Sequence, residues 1–345
     1  MKHETMIFED NTLKLIDQRK LPTQIEYFKC RDYLDVKKAI KVMVVRGAPA
    51  IGAVAAYGFY LAALEFINLP KEKLKERLNT AAEELNSARP TAVNLSWAVE
   101  QMLNLALANI NNEKESLLEV LKSRADKIAE DDRKINKKLA EHGNSLIKKN
   151  DTILTHCNTG SLATVEYGTA LGVIREAHFT GKNIKVYADE TRPRLQGARL
   201  TAFEIVEEGI DGTLIVDSTA ATLIRDGKID CIITGADRIA ANGDTANKIG
   251  TFMISEIAKN FNVPFYIAAP LSTIDRKIKS GKEIDIEERD REEITHINGQ
   301  QIAPDNIKVY NPAFDVTPAE NIEAIITEKG IVRKPFRENI ELLFE

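Results

Sequence analysis

The sequence predicts an α/β protein, with a small N-terminal domain of antiparallel strands and helices followed by a doubly wound, Rossmann-like parallel sheet. Three observations carry this expectation. Short alternating runs crowd residues 5–29, a long helical tract follows, and from residue 151 strand-like runs alternate with helical ones. Such alternation implies parallel strands joined by crossover helices. At 345 residues the chain is long enough for more than one core. The expected division is a sheet-plus-helix domain over 1–125, a linking helix over 126–150 and a Rossmann-like catalytic domain over 151–345.

Taken in order, the runs Thr5–Phe8, Leu13–Asp17 and Gln24–Phe28 are separated by Asp10-Asn11 and Leu21-Pro22, which predicts a small antiparallel sheet. Tyr33–Val45 reads as a helix. Gly47 and Pro49 mark a turn before an Ala-rich helix over Ala53–Leu64, and Arg46 stands at that turn. An arginine beside the open amides of a helix start is an anion site in outline. Taken alone, the stretch is better read as a packed Ala/Gly helix with a surface arginine. Leu74–Ser87 is a charged amphipathic helix ended by Arg89-Pro90-Thr91, and Asn94–Leu107 and Lys114–Lys149 are helical as well. The charge run Asp131-Asp132-Arg133-Lys134 reads as a solvated face.

In the second half the strand-like runs are Thr152–His156, Ile184–Ala188, Gly212–Val216, Ile229–Thr234 and Val263–Ala268. Helices are expected over Ser161–Leu171, with Ser161 as N-cap, over Ala198–Glu207 and over Ala246–Lys259. Each strand is followed by polar or turn-forming sequence: Cys157 and its neighbours, Asp189–Gln196, Asp217–Thr219, Gly235–Arg238 and Ala269-Pro270. Polar groups gathered at one end of one sheet are a site by geometry.

The bulk numbers narrow the class. A net charge of −5 argues against a broad nucleic-acid surface. Cys30, Cys157 and Cys231 fit neither a disulfide framework nor a zinc spacing. The N-terminus has no apolar signal core, and no apolar run is expected to span a bilayer; the nearest, Ile51–Phe66, is interrupted by Gly52, Gly58 and Glu65. A reduced, cytoplasmic protein that binds neither membrane nor nucleic acid is expected.

Several residues are equipped for chemistry. Cys157 is expected in a strand-to-helix turn, where helix amides lower a thiol's pKa and suit a phosphate. A buried cysteine acting as a small hydrophobe is as good a reading for that residue alone. Asp237 closes the apolar run Cys231–Ala236, where poor solvation would let a carboxyl act as an acid near neutral pH. Its competing roles are a helix N-cap or a partner for Arg238. Lys248, beside Asn247 at an expected helix start, is a candidate phosphate ligand or an ordinary solvated lysine. Arg192, Arg194 and Gln196 are candidates to reach an anion or a sugar hydroxyl. His156 points away from Cys157 if both lie on a strand, so a core or supporting role is expected of it. Cys231, at a strand start, reads as structural. A thiol, a carboxyl and phosphate ligands, without a metal cluster or a Gly-x-Gly-x-x-Gly fingerprint, point to cofactor-free and metal-free chemistry on a sugar phosphate.

Several motifs together resemble the methylthioribose-1-phosphate isomerase family. They are Arg46-Gly-Ala-Pro-Ala-Ile-Gly52, Cys157-Asn-Thr-Gly160, Glu190-Thr-Arg-Pro-Arg-Leu-Gln-Gly-Ala-Arg199, Gly235-Ala-Asp-Arg-Ile-Ala-Ala-Asn-Gly-Asp244 and Asn247-Lys-Ile-Gly-Thr251. Ala269-Pro-Leu-Ser-Thr-Ile-Asp275, Ile286-Glu-Glu-Arg-Asp290 and Asn311-Pro-Ala-Phe-Asp315 extend the match over nearly the whole chain. The resemblance implies a catalytic pair at Cys157 and Asp237, and substrate binding at Arg46, Gly47, Ala48, Arg89, Gln196, Asn247 and Lys248. It implies conversion of an aldose 1-phosphate to a ketulose 1-phosphate in methionine salvage, in a homodimer. The same fold serves regulatory subunits of a translation-initiation guanine-exchange factor, so a non-catalytic regulator is a rival. Retention of Cys157 and Asp237 argues against it. Related isomerases act on 5-deoxyribose 1-phosphate and ribose 1,5-bisphosphate. Many methylthioribose enzymes carry Met after Val-Asp-Ser, where this chain has Thr219, and that difference bears on the sugar's 5-substituent.

Overall fold

The computed structural model describes residues 3–90 and 92–344. Its contacts divide the chain into two compact units. One holds the residues up to Ile135 together with Ser161–Gly168; the other holds Asn136–Gly160 and the chain from Thr169 onward. The continuous helix Lys114–Asn144 runs through most of the expected linker over 126–150 and carries the chain from one unit to the other at Ile135–Asn136.

In the first unit, β1 (Met6–Glu9), β2 (Thr12–Ile16) and β3 (Tyr27–Cys30) form the expected antiparallel sheet, with Met6 opposite Leu15 and Leu13 opposite Cys30. Helix α1 (Tyr33–Lys41) is capped by Asp32, whose side chain accepts from the Asp35 N–H at 2.8 Å. It stops short of the expected Val45, and Met43 just beyond it has a left-handed φ of 59°. Helix α2 (Ala48–Phe66) begins before the expected Ala53 and has almost no polar face. By length and composition it is apolar enough to cross a membrane, contrary to the expectation from its glycines, but it is buried inside the protein over most of its length. It is a core helix. Helices α3 (Lys71–Asn86), α4 (Val93–Asn109) and the start of α5 (Lys114–Asn144) pack around it. Thr91, read as part of the stop after α3, lies outside the described residues.

The second unit is built on a seven-stranded sheet. Its strands are β4 (Thr152–Thr155), β5 (Lys185–Asp189), β6 (Gly212–Ile215), β7 (Cys231–Thr234), β10 (Phe265–Ala268), β15 (Ala324–Thr327) and β16 (Gly330–Val332). The spatial order is β16-β15-β10-β7-β4-β5-β6, parallel throughout except for β16. Core clusters line both faces of this sheet, as a doubly wound fold requires. The five expected strands are present; β15 and β16 were not foreseen.

Two expectations fail in the second half of the chain. Ser161–Leu171 is not a helix: a single turn over Ser161–Ala163 is followed by irregular chain, and helix α6 (Ala170–Phe179) starts after Thr169. Backbone groups of this stretch are engaged instead by other residues of the first unit, to which Ser161–Gly168 belongs. Thr5 Oγ1 donates to the Ser161 carbonyl, Gln18 Nε2 to the Leu162 carbonyl, and Val165 N–H to Asp132. Ser161 is therefore no N-cap. Nor does a helix begin at Ala246. A second sheet, ordered β11-β8-β9-β14, is formed by β8 (Arg238–Ala240), β9 (Thr245–Lys248), β11 (Ile274–Asp275) and β14 (Phe314–Thr317). Asn242-Gly243 makes the β8–β9 hairpin, with Gly243 at φ 90°, and β14 pairs along the other side of β9. Helix α9 (Thr251–Asn260) starts only after Gly250, at φ 104°.

Candidate active site

Strand order places the site. From β4 the chain winds outward through β5 to β6, then returns to lay β7 on the opposite side of β4. The crevice at the carboxyl ends of β4 and β7 is therefore a topological switch point, where ligands of open parallel sheets bind. Cys157 follows β4, and Asp237 follows β7. The two residues flank the switch point on neighbouring strand ends, as the sequence reading expected.

Cys157 is held in a left-handed conformation, φ 73°, which is rare for a residue with a Cβ. Its N–H donates to Thr191 Oγ1 at 2.9 Å and its carbonyl accepts from Thr201 Oγ1 at 2.6 Å. Thr191 is fixed in turn by Asp217, whose two oxygens accept from the N–H groups of Thr191 and Arg192 at 2.7 and 2.8 Å. Hydroxyls and a carboxylate shape this turn. The helix N-terminus expected beside Cys157 is absent, since the next helix begins at Ala170. The thiol is half-buried and outside any disulfide; Cys30 and Cys231 are buried, and burial pushes their thiols up, to about 12 for Cys30. Cys231 is structural, as read from the sequence.

The hairpin supplies the other charges. The Asp237 N–H donates to the Ala246 carbonyl at 2.9 Å and Arg238 pairs with Ala246, so Asp237 and Lys248 emerge at the same end of the β8–β9 ribbon. Asp237 is exposed, which contradicts the expected apolar surround: the hydrophobic strand ends at Thr234, before the carboxyl is reached. Lys248 is 5% exposed. Its Nζ donates to the Ala313 carbonyl at 2.8 Å and lies 4.2 Å from the centre of the Phe314 ring. Burial holds its pKa below the ordinary lysine range, against the opposing pull of Cys157 and Asp237, both within Coulombic reach. Lys248 is therefore a buried ammonium within Coulombic reach of a thiol and a carboxyl, not a solvated lysine. Asn247, beside it on β9, donates to Thr251 Oγ1 at 3.1 Å.

Gln196 is buried, with an amide oxygen that has no hydrogen-bond partner among the described residues. An orphaned buried acceptor of this kind fits a group that completes its bonding with a ligand hydroxyl. Arg192 and Arg194 are committed to the fold: Arg192 donates to the carbonyls of Pro193 and Ile294, and Arg194 pairs with Glu293 at 2.6 Å. The sequence reading did not single out Arg289 and Phe314. The Arg289 guanidinium lies 5.7 Å from the same Phe314 ring that carries Lys248. Both stand in quoted motifs, but nothing in their spacing marks them as neighbours of a lysine on β9.

His156, Asp189 and Asp217 bring ligand-type atoms within 4.8 Å of one another, the spacing of a metal site. Most of their donor atoms are already engaged; the exception is Asp189 Oδ1, which has no hydrogen-bond partner among the described residues. His156 is bonded at both ring nitrogens, to Asp189 Oδ2 at 2.9 Å and to the Ile249 carbonyl at 3.0 Å, and both Asp217 oxygens accept backbone N–H groups. This geometry suits a proton better than a metal ion. Burial alone would lower the His156 pKa; the hydrogen bond and charge of Asp189 outweigh it and hold the ring proton more tightly than in water.

In the first unit, Arg46, Gly47 and Ala48 form the start of α2. Gly47 has φ 93°, and a Cβ there would lie 2.0 Å from the Ala163 carbonyl oxygen, so no other residue fits. This close approach leaves the first amides of a 19-residue apolar helix beside a half-buried arginine. Arg89 lies in the turn leading into α4, whose Asn94 backbone packs against α2 at Gly52. Arg46, Gly47, Ala48 and Arg89 therefore share one end of this unit's helical layer, while Cys157, Asp237, Asn247 and Lys248 converge in the other unit.

Comparison with known proteins agrees with this architecture. The initiation factor 2 subunit family matches residues 44–334. The methylthioribose-1-phosphate isomerase of Thermoanaerobacter sp. (strain X514) is 64% identical over 333 residues, covering 96% of each chain. The crystal structure of 5-methylthioribose 1-phosphate isomerase from Pyrococcus horikoshii OT3 superposes with a TM-score of 0.94 at 44% identity, over 99% of this chain and 95% of that one. That of translation initiation factor eIF-2B, subunit delta, from A. fulgidus gives 0.90 at 47% identity, over 99% and 98%. The resemblance read from the motifs is met, and the chain belongs to the initiation factor 2 subunit family.

Proposed function

We propose that this protein is an aldose–ketose isomerase that converts 5-methylthioribose 1-phosphate to the corresponding ribulose 1-phosphate, as in methionine salvage. The observation that carries this reading is the placement of Cys157 and Asp237 on neighbouring strand ends at the switch point, with the buried Lys248 in Coulombic reach of both. The 64% identical relative bears the name of this activity, which supports the substrate. A regulator has no use for a strained thiol, a carboxyl and a buried ammonium in one place.

The chemistry follows from the substrate. A phosphate on the anomeric oxygen blocks a free aldehyde, so the ring opens with acid assistance before hydrogen moves from C2 to C1. Asp237 is the acid in this reading. Its exposure means that a bound sugar must itself cover the carboxyl and supply the desolvation that an acid role calls for. Cys157 is the base at C2, or the group that stabilises the transition state if the hydrogen moves as hydride. In the second unit Gln196, Asn247 and Lys248 bind the sugar phosphate in this reading, and the family resemblance assigns substrate binding to Arg46, Gly47, Ala48 and Arg89 as well. No step needs a cofactor.

Thr219, half-buried at the start of helix α8 (Thr219–Arg225), supports a second substrate. It is shorter and more polar than the methionine common at this place, so 5-deoxyribose 1-phosphate is a further substrate in this reading. We also infer a cytoplasmic homodimer: β6 lies at a sheet edge with Leu214 50% exposed and, just beyond its end, Val216 56% exposed, a surface that invites a partner strand or face. Sedimentation at micromolar concentration tests it, and a monomer refutes it. The activity is tested by following both sugar phosphates by NMR. Ketose 1-phosphate should form from each; turnover of neither would overturn the isomerase reading, and turnover of the methylthio sugar alone would overturn the second substrate.

A further inference from the structure

His156 is gripped more fully than a core histidine needs. A carbonyl only accepts, so the Ile249 contact fixes a proton on Nε2, which donates at 3.0 Å. The 2.9 Å contact between Nδ1 and Asp189 Oδ2 then needs a second proton, on the ring or on the carboxyl; the two forms hold the same number and belong to the pair. Ring and carboxyl are 1% and 0% exposed. Gly250 closes over the ring, where a Cβ would come within 3.1 Å of Cε1. Among the described residues, Asp189, Asp217 and Asp315 act on the ring by charge, and Asp315 holds the N–H groups of Gly250 and Phe252 at 2.7 and 3.0 Å.

The connectivity gives this clamp a purpose. The residue after His156 is Cys157. The carbonyl that the ring grips belongs to the residue after Lys248. We propose that His156 is a positioning residue, backed by Asp189, that ties the turn bearing the Cys157 thiol to the strand end bearing the Lys248 ammonium and so fixes one against the other. Its catalytic consequence rests on the isomerase reading; the tie itself does not.

The test reads the tie without substrate. Alkylation of Cys157 by iodoacetamide is followed against pH, with Cys157→Ser as the blank for Cys30 and Cys231. An ammonium near a thiol favours the thiolate, so Lys248→Met should move the alkylation midpoint upward by about half a pH unit or more. Asp237 lies in the same field and is kept in every variant. In His156→Phe, which removes both hydrogen bonds, the same Lys248→Met change should move the midpoint less than half as far. Equal shifts in the two backgrounds would overturn the proposal. Should His156→Phe fail to fold, Asp189→Asn decides: its amide still donates to Nδ1, so the full Lys248 effect should survive, and its loss would show that buried charge, not position, matters. If the isomerase reading holds, His156→Phe should also cost about 10²-fold in kcat, the scale of a misplacement of about 1 Å. A positive alkylation result without turnover would fault the substrate assignment and leave the tie standing.

Discussion

The two sheets of the second unit make opposite demands on a sequence. The seven-stranded sheet is a scaffold: β7, β10 and β15 are buried along their whole length, and their residues are chosen for packing. The β11-β8-β9-β14 sheet is built from strands of two to four residues and carries Asn247 and Lys248, with Asp237 at its entrance. The large sheet gives the site its place. The small one gives it most of its charge. The difference is one of length and charge and not of burial, since β9 is also buried along its length but buries an amide and an ammonium where the large sheet buries apolar side chains.

That contrast can be broken by substitution. The largest effect on turnover is expected at the switch point: Cys157→Ser and Asp237→Asn should each lower kcat by about 10²-fold or more, with thermal unfolding unchanged. Unchanged kcat in either would remove that residue from the chemistry. In the scaffold, Ile232→Ala should cost about 2–5 kcal/mol of stability, because Ile232 is fully buried on β7, while kcat of the folded fraction stays near the parent value. Lys248→Met should do the reverse, weakening sugar-phosphate binding by about 1.5–3 kcal/mol, the scale of a charged hydrogen bond, with little loss of stability. If Lys248→Met unfolds the protein and leaves KM unchanged in what remains, the small sheet is scaffold too.

The pH dependence sharpens the same point. Burial lowers the Lys248 pKa, so the ammonium is lost at lower pH than an exposed lysine's would be. KM for the sugar phosphate should therefore rise on the alkaline side before an ordinary lysine would titrate, and this early rise should vanish in Lys248→Met. Binding that is flat through that range would show that Lys248 does not hold the anion. The smallest effect is expected at Thr219. A difference of about one methylene is worth about 1–3 kcal/mol at most in a pocket, so Thr219→Met should shift the kcat/KM ratio towards the methylthio sugar by a modest factor. A ratio that does not move would place residue 219 outside the pocket.

Most of the scaffold was legible in the sequence because buried parallel strands read as unbroken apolar runs, and the residues after them could be collected at one sheet end. Cys157 and Asp237 were singled out as candidates that way. The hairpin was not, because Thr245–Lys248 is too short and mixed to show a period, although Asn242-Gly243 carried the turn signal. Ser161–Leu171 misled for another reason: its backbone groups bond to Thr5, Gln18 and Asp132 across 33 or more residues of sequence. Asp237 was rightly placed but wrongly surrounded, since an apolar run before a residue says little about the chain beyond it. The His156 clamp depends on a carbonyl of residue 249, and no residue type announces a carbonyl.

The central claim is that Cys157 and Asp237 act together on one reacting sugar. The most direct measurement is kcat on 5-methylthioribose 1-phosphate for Cys157→Ser, Asp237→Asn and the double variant. Groups that act as a unit are far from additive, so the double variant should fall no lower than about the worse single one. Losses that multiply in the double variant would contradict the account.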